Sequence, residues 1–365
     1  MLDGIDIKNV KSIENIDLKL KKLNVFSGLN SSGKSTVLGV ILLLKQISNN
    51  KVFLNGEYTN FVTLESALYK WRDDPNGNIK YKFHSENEFD LPLLYDADSS
   101  DVNLITEINI SDAPNVSDRI RYLSSNRINP SWTYKNSMPT ISKRDFGVSG
   151  EGAIPYINKL EKEKVSFFNI IHSSLSENEN KLLILDNLDA WMSVISPGVK
   201  ISVDNMHDIN SSKLHFGFRN GGVLDNLSPF SVGFGLTHAL PMVLMLLTAE
   251  PGDLIIIENP ESNLHPEGQV HLGKLISLVA NNDVQVIIET HSDHVINSVR
   301  MAIKNKLIKS DDTKISFLEI IKSGSSSSEK LHTIEHEINV LPNGKIVNPP
   351  KGFFDTWENS LMELV

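Results

Sequence analysis

The chain has 365 residues, 40% hydrophobic and 22% charged, and 35 Lys and Arg against 45 Asp and Glu leave a formal charge of −10. That length suggests about two compact units with ample core, and the acidic balance excludes a uniformly basic nucleic-acid coat while leaving room for a local basic patch. The absence of cysteine excludes disulfide scaffolds, Cys-ligated zinc, iron–sulfur clusters and thiol catalysis.

The longest apolar stretch, near residues 240–247, is well short of the ~20 residues a bilayer crossing needs. The start, Met1-Leu2-Asp3-Gly4, carries acid early and no apolar run, so no export signal and a cytoplasmic location are expected. Residues 5–27 read as two strands and a turn, with Ile5, Ile7 and Val10 alternating with polar residues and Leu23, Val25 and Phe26 leading into a glycine. After Gly28-Leu29-Asn30-Ser31-Ser32-Gly33-Lys34-Ser35-Thr36 a helix is expected from Lys34 to about Ser48, since Val37, Leu38, Val40, Ile41, Leu44 and Ile47 recur at helical spacing. Residues 79–83, 93–95 and 102–110 read as short strands between turn-rich joins such as Asp73-Asp74-Pro75-Asn76-Gly77. Residues 155–164 and 174–194 read as mostly helical, the second with a polar Glu-Asn-Glu-Asn-Lys break at 177–181, and Pro197-Gly198 ends the segment.

Order returns after residue 225. An apolar helix is expected over 235–247, an apolar strand at Leu254-Ile255-Ile256-Ile257, a helix over 266–279, a second strand over 284–288 and a helix over 294–304. Strands without alternation, separated by helices, imply a parallel sheet covered on both faces. The tail carries a Leu341-Pro342-Asn343-Gly344 turn and an aromatic helix around Phe353, Phe354 and Trp357.

Gly28-x4-Gly33-Lys34-Ser35 fits the nucleotide phosphate-loop pattern. The glycines let successive N–H groups of Asn30, Ser31, Ser32 and Gly33 turn toward a β-phosphate. The positive end of the following helix faces the anion. Lys34 supplies a mobile charge, the Ser35 hydroxyl is placed for Mg²⁺, and Thr36 for an α-phosphate oxygen. The alternative is a glycine–serine turn that fits by chance. Further on, Ile257-Glu258-Asn259-Pro260-Glu261 ends an apolar strand in an acid, and His291 ends the next strand. In phosphate-loop ATPases such an acid holds Mg²⁺ through water. His291 is either a group that reaches a γ-phosphate or a capping histidine. His294 is read as the start of a helix rather than half of a metal pair with His291.

Together these pieces resemble the ABC-type ATPase heads of the SMC, RecF and Old families. The resemblance covers the first fifty residues and 225–300, and is weak over the insertion between them. Glu258-Asn259-Pro260-Glu261 with Leu264-His265-Pro266, then Thr290-His291-Ser292-Asp293, is most similar to the compact Old-like branch, whose members are common in bacterial anti-phage defence. The resemblance implies an α/β head that binds ATP and Mg²⁺ and closes as a homodimer on two nucleotides. The family's signature loop finds its counterpart in Ser231-Val232-Gly233-Phe234-Gly235, where Ser231, Gly233 and Gly235 would meet the other subunit's ATP; the alternative is a glycine loop that caps the next helix. Aligned on Pro260, Glu258 falls at the Mg²⁺-linked acid and Asn259 at the catalytic glutamate. Asn orients water but takes no proton, so either turnover is slow or another acid such as Glu261 serves.

The expected organisation is a split head, 1–70 and 221–365, with an antiparallel β lobe at 71–150 and a mostly helical lobe at 151–220. The stretch after His291 is too short for the Toprim nuclease of full-length Old proteins, so a separate effector chain, a nuclease or toxin, is expected. The expected role is a sensor in anti-phage defence; a RecF-like clamp on duplex DNA and an ATP-bound scaffold are the other readings. No membrane partner is expected. Arg127 is read as touching phosphate, bracing the lobe or lying on the surface. Gln46 is not the family's Q-loop glutamine. His332 and His336 are set aside as a metal pair because their context reads as strand. Lys143-Arg144 and residues 159–164 are small basic clusters, the second a solvated face.

Overall fold

The structure, a computed structural model, describes residues 1–84, 87–95, 107–110, 114, 116–136, 144–177, 180–220, 223–324 and 329–353. Residues 102–106 of one expected strand, Lys143, and the expected aromatic helix from Phe354 onward lie outside the described residues. The chain divides into two compact units: Met1–Ile120 with Ser310–Leu341 and Lys345–Val365, and Arg121–Lys309 with Pro342–Gly344.

In the first unit, Leu2–Val10 and Ile13–Lys19 form an antiparallel hairpin with Ile5 opposite Leu18 and Ile7 opposite Ile16. Period-2 alternation drives it, because Ile5, Ile7 and Leu18 are fully buried while Lys8 and Lys19 face water. Gly77–Phe83 pairs on the free edge of Leu2–Val10, and Glu88–Leu93 pairs on Gly77–Phe83. These strands, read from sequence as part of a separate lobe, thus complete the N-terminal sheet. The expected second strand breaks at Leu20 and restarts as Leu23–Gly28, the strand that enters the glycine-rich loop, so three strands stand where two were expected. All six of its residues are buried. It runs parallel to Thr313–Ser323, with Val25 beside Ile315 and Gly28 beside Leu318, and Thr313–Ser323 turns back antiparallel into Lys330–Val340.

Helix Lys34–Leu43 follows the loop, buried along almost its whole length. It stops earlier than its apolar spacing predicts, passing through a 3-10 turn, Leu44–Gln46. The Gln46 side chain explains the stop. Its Nε2 donates to the Phe53 carbonyl at 2.7 Å and its Oε1 accepts from the N–H groups of Tyr58 and Thr59, so it shapes the next segment.

In the second unit the acidic strand, Leu254–Glu258, runs parallel to Gln285–Glu289, with Glu258 level with Glu289. Strand Ile120–Leu123, whose last three residues open this unit, lies on the other side of the acidic strand. Helices Phe234–Leu247, Pro266–Ala280 and Asp293–Lys304 fall within a residue or two of the expected spans. Ser292 caps the last of these by accepting from the Val295 N–H, and His294 lies inside its first turn.

The middle of this unit departs from expectation. Among its described residues the α-helices are Ala153–Ile157 and Ile184–Ile195, and Val199–Met206, Ser211–Asn220 and Val223–Leu227 build an antiparallel sheet with Tyr134–Lys135. The second expected helix begins only at Ile184, after the expected polar break, and side chains that bond the backbone shape the approach to it. His172 Nδ1 accepts from the Ser174 N–H, and Asn187 Nδ2 donates to the carbonyls of Lys181 and Leu183.

Candidate functional site

The site residues fall into two clusters, one per unit. In the first unit, Gly28 has φ 148°, and a Cβ there would collide with the Leu318 carbonyl, so only glycine lets the strand leave the sheet at this point. Ser31 and Gly33 are left-handed, φ 65° and 99°, and curl the chain into the helix. A Cβ on Gly33 would sit 2.6 Å from Thr333 Oγ1. Helix Lys34–Leu43 has no side-chain cap and no acid in its first turn, so no protein anion competes for the positive end.

Lys34 is 3% exposed, and its Nζ donates to the carbonyls of Gly28 at 2.9 Å and Leu29 at 2.8 Å. Ser32 Oγ is buried without a hydrogen-bond partner. Asn30, Ser31 and Ser35 are exposed and Thr36 is half-buried. A glycine cradle, a buried cation and an orphaned hydroxyl are a donor set that fits a phosphate.

In the second unit, Glu258 is half-buried. Its Oε1 accepts from the Tyr122 hydroxyl at 2.7 Å and its Oε2 from the Ser125 N–H at 3.1 Å. Arg127 is 2% exposed and donates to the carbonyls of both Glu258 and Asn259. Burial pushes its pKa down to about 10, opposed by the charges of Glu261 and Glu258. Arg127 therefore braces the acidic strand; it is not a surface arginine. Asn259 is left-handed, φ 41°, a conformation asparagine accepts more readily than most residues.

Glu261 is the most heavily used carboxylate here. Its Oε1 accepts from the His291 N–H at 2.9 Å and Asn259 Nδ2 at 3.3 Å, and its Oε2 from the Thr290 hydroxyl at 2.7 Å. His291 itself is exposed. Gln269 makes a second link between the same loops, accepting from Ser292 Oγ at 2.6 Å and donating to the Leu264 carbonyl at 2.9 Å.

The 231–235 segment starts with the turn Pro229–Ser231, and Gly233 stands at the N-terminus of helix Phe234–Leu247, again without a side-chain cap or a first-turn acid. Ser231 and Gly233 are exposed, and a Cβ on Gly233 would meet open space. Gly235 differs, because a Cβ there would strike the Asn263 carbonyl. From the next turn of the helix, His238 pairs through Nδ1 with Asn263 Nδ2 at 2.9 Å.

Among the described residues no group of three or more His, Asp or Glu is disposed to hold a metal ion. His332 and His336 lie on strand Lys330–Val340, where His336 pairs with Glu319 at 2.9 Å. Of the basic clusters, Arg144 is bound to Asp253 at 2.9 Å and Glu250 at 2.9 Å, and the lysines of 159–164 are exposed. Sequence reasoning missed Tyr122, Ser125, Gln269 and His238. Only Tyr122 left a trace, as a hydroxyl between Arg121 and Leu123 at a strand end.

Residues 23–297 match the family described as AAA domain, putative AbiEii toxin, Type IV TA system, and the chain belongs to it. Residues 308–364 match a second family, described as a protein of unknown function, DUF3696. The OLD nuclease of Thermus scotoductus is 24% identical over 326 residues, which cover 80% of this chain and 59% of that protein. The chain thus spans about three-fifths of the length of this curated relative. The fold is similar to that of an Smc head crystallised with the C-terminal winged-helix domain of ScpA, at TM-score 0.50 and 13% identity, over 91% of this chain and 97% of that one. The protein is thus an α/β member of this AAA-domain ATPase family, similar in sequence to an OLD nuclease and in fold to an Smc head. No helix among the described residues is long and apolar enough to cross a membrane.

Proposed function

We propose that this chain binds and hydrolyses ATP, and that two copies close on two nucleotides as the sensor subunit of an anti-phage defence complex that controls a separate effector. The phosphate loop carries this reading. Gly28 and Gly33 hold a curve no other residue fits, Lys34 is buried at its base, and the Ser32 hydroxyl has no protein partner. Asn30, Ser31, Ser32 and Gly33 bind phosphate through main-chain N–H groups, Lys34 neutralises the terminal phosphates, and Thr36 meets the first. Ser35 and Glu258 are the residues that would hold Mg²⁺, which supplies charge neutralisation on the phosphate oxygens. His291 senses the γ-phosphate. Ser231, Gly233 and Gly235 serve the nucleotide of the other copy.

Asn259 and Glu261 set the rate in this reading. Asn259 orients the attacking water without taking its proton. Glu261, with three donors on its carboxylate, holds His291 and Thr290 in place and leaves little capacity for a base. Slow turnover suits a switch that stays closed until triggered. The second reading, a clamp on duplex DNA, gains nothing from Arg144, whose charge is spent on Asp253 and Glu250.

The test is calorimetry with a non-hydrolysable ATP analogue and magnesium, beside phosphate release and the oligomeric state with and without nucleotide. Binding that disappears in Lys34→Ala, with nucleotide-dependent dimers, supports the reading. A wild-type protein that binds no nucleotide overturns it. A nuclease or toxin captured in fixed ratio from the native host would support the effector role, and salt-dependent affinity for duplex DNA without such a partner would favour the clamp.

A further inference from the structure

Both carboxylate oxygens of Glu258 carry a protein donor: the Tyr122 hydroxyl on Oε1 at 2.7 Å and the Ser125 N–H on Oε2 at 3.1 Å. Both donors come from one short stretch, the end of Ile120–Leu123 and the turn after it, on the strand that neighbours the acidic one. Arg127, two residues further on, grips the main chain of the same acid through its carbonyl. Residues 122–127 therefore fix Glu258 by side chain and backbone at once.

The hydroxyl is not there for packing. Tyr122 is 4% exposed between Arg121 and Leu123, both buried, and phenylalanine fills nearly the same volume. The phenol's hydroxyl donates to the carboxylate at 2.7 Å. A buried hydroxyl without its acceptor is costly, and the carboxylate that meets it loses side-chain freedom before any ligand arrives.

We propose that Tyr122 is a positioning residue for Glu258, holding its carboxylate in one orientation with one acceptor site on each oxygen left for water around a divalent cation. Each carboxylate oxygen has two acceptor sites, and the protein uses one of them. This rests on the reading that Glu258 serves the metal of the nucleotide site. The hydroxyl acts through Glu258 and has no direct role on phosphate, so its removal affects metal-dependent binding alone.

The experiment is calorimetric titration of wild type and Tyr122→Phe with a non-hydrolysable ATP analogue, once with magnesium and once with EDTA. Affinity in magnesium is expected to fall about tenfold in the variant, the scale of one hydrogen bond to a charged group, and affinity in EDTA to hold within about twofold. In a Glu258→Gln background, Tyr122→Phe is expected to add nothing to the metal-dependent loss. The proposal is overturned if Tyr122→Phe keeps the wild-type metal dependence, or if it loses affinity equally with and without metal, as a purely structural role would. Should Tyr122→Phe prove unstable, Tyr122→Leu, which also removes the hydroxyl and keeps an apolar side chain, carries the same comparison. A wild type that binds no nucleotide overturns the reading of the site instead, and the two failures are thereby separated.

Discussion

A 2.9 Å hydrogen bond from the main-chain N–H of His291 to Oε1 of Glu261 ties the end of one buried strand to the turn that follows another. The same carboxylate holds the Thr290 hydroxyl at 2.7 Å, so residues 290 and 291 are placed by a group thirty positions upstream in the chain. Glu261→Gln offers N–H groups where one carboxylate oxygen accepted. The variant is expected to lose about 1–3 kcal/mol of stability and at least about tenfold in phosphate release, with unchanged nucleotide affinity because the phosphate loop is untouched. Thermal melting, phosphate release and calorimetry check the three parts. An affinity loss as large as the rate loss would remove Glu261 from this role.

Asn259 predicts a gain. If turnover is slow because the residue at this position takes no proton, Asn259→Glu should raise phosphate release several-fold. The left-handed backbone at φ 41° favours asparagine, so the variant should also melt lower, by a loss of about 1 kcal/mol. Steady-state release equal to wild type in a folded variant would end the argument that Asn259 limits the rate.

Gly33→Ala meets two obstacles together, a φ of 99° and Thr333 Oγ1 at 2.6 Å from the new methyl. Nucleotide binding is expected to vanish and stability to fall by about 1–3 kcal/mol. Truncating Thr333 as well, as Gly33→Ala with Thr333→Ala, removes the clash but leaves the dihedral cost, so part of the stability returns and binding does not. Recovery of binding in the double variant would show that the curve of the loop is dispensable.

His238 gives a pH signature. Burial, and then the positive charge of Arg127, lower its pKa below the ordinary 6.5. The unfolded chain takes up the proton more readily, so the contribution of neutral His238 is present above about pH 6.5 and is lost as pH falls through the folded value. Wild type should melt above His238→Gln at about pH 7.5, and that advantage should shrink at about pH 5.5. His172, also lowered by burial, is common to both proteins and cancels. An advantage independent of pH would mean that His238 contributes by packing alone.

The parts of this molecule written into its sequence are those governed by short-range rules. Glycine positions fix the phosphate loop, and apolar runs of the right length fix Leu254–Glu258 and Gln285–Glu289. Helix starts at Pro266 and Ser292 follow from capping chemistry. What escaped reading depends on distant partners. No local pattern announces that Gly77–Phe83 will pair with Leu2–Val10, or that Tyr122 will meet Glu258. Arg127 shows the limit most clearly, since its surroundings in the chain are polar and turn-rich while its guanidinium is buried against two carbonyls 131 and 132 positions away. In the 155–195 region apolar residues suggested longer helices, and histidine and asparagine side chains bond the backbone ahead of Ile184–Ile195.

Gly235 and the Asn263 carbonyl leave no room for a methyl group between them, and His238 rivets the same asparagine one turn along. The start of helix Phe234–Leu247 and the turn after the acidic strand are therefore welded into one stiff plate. A displacement of either edge must therefore shift the other or break that contact.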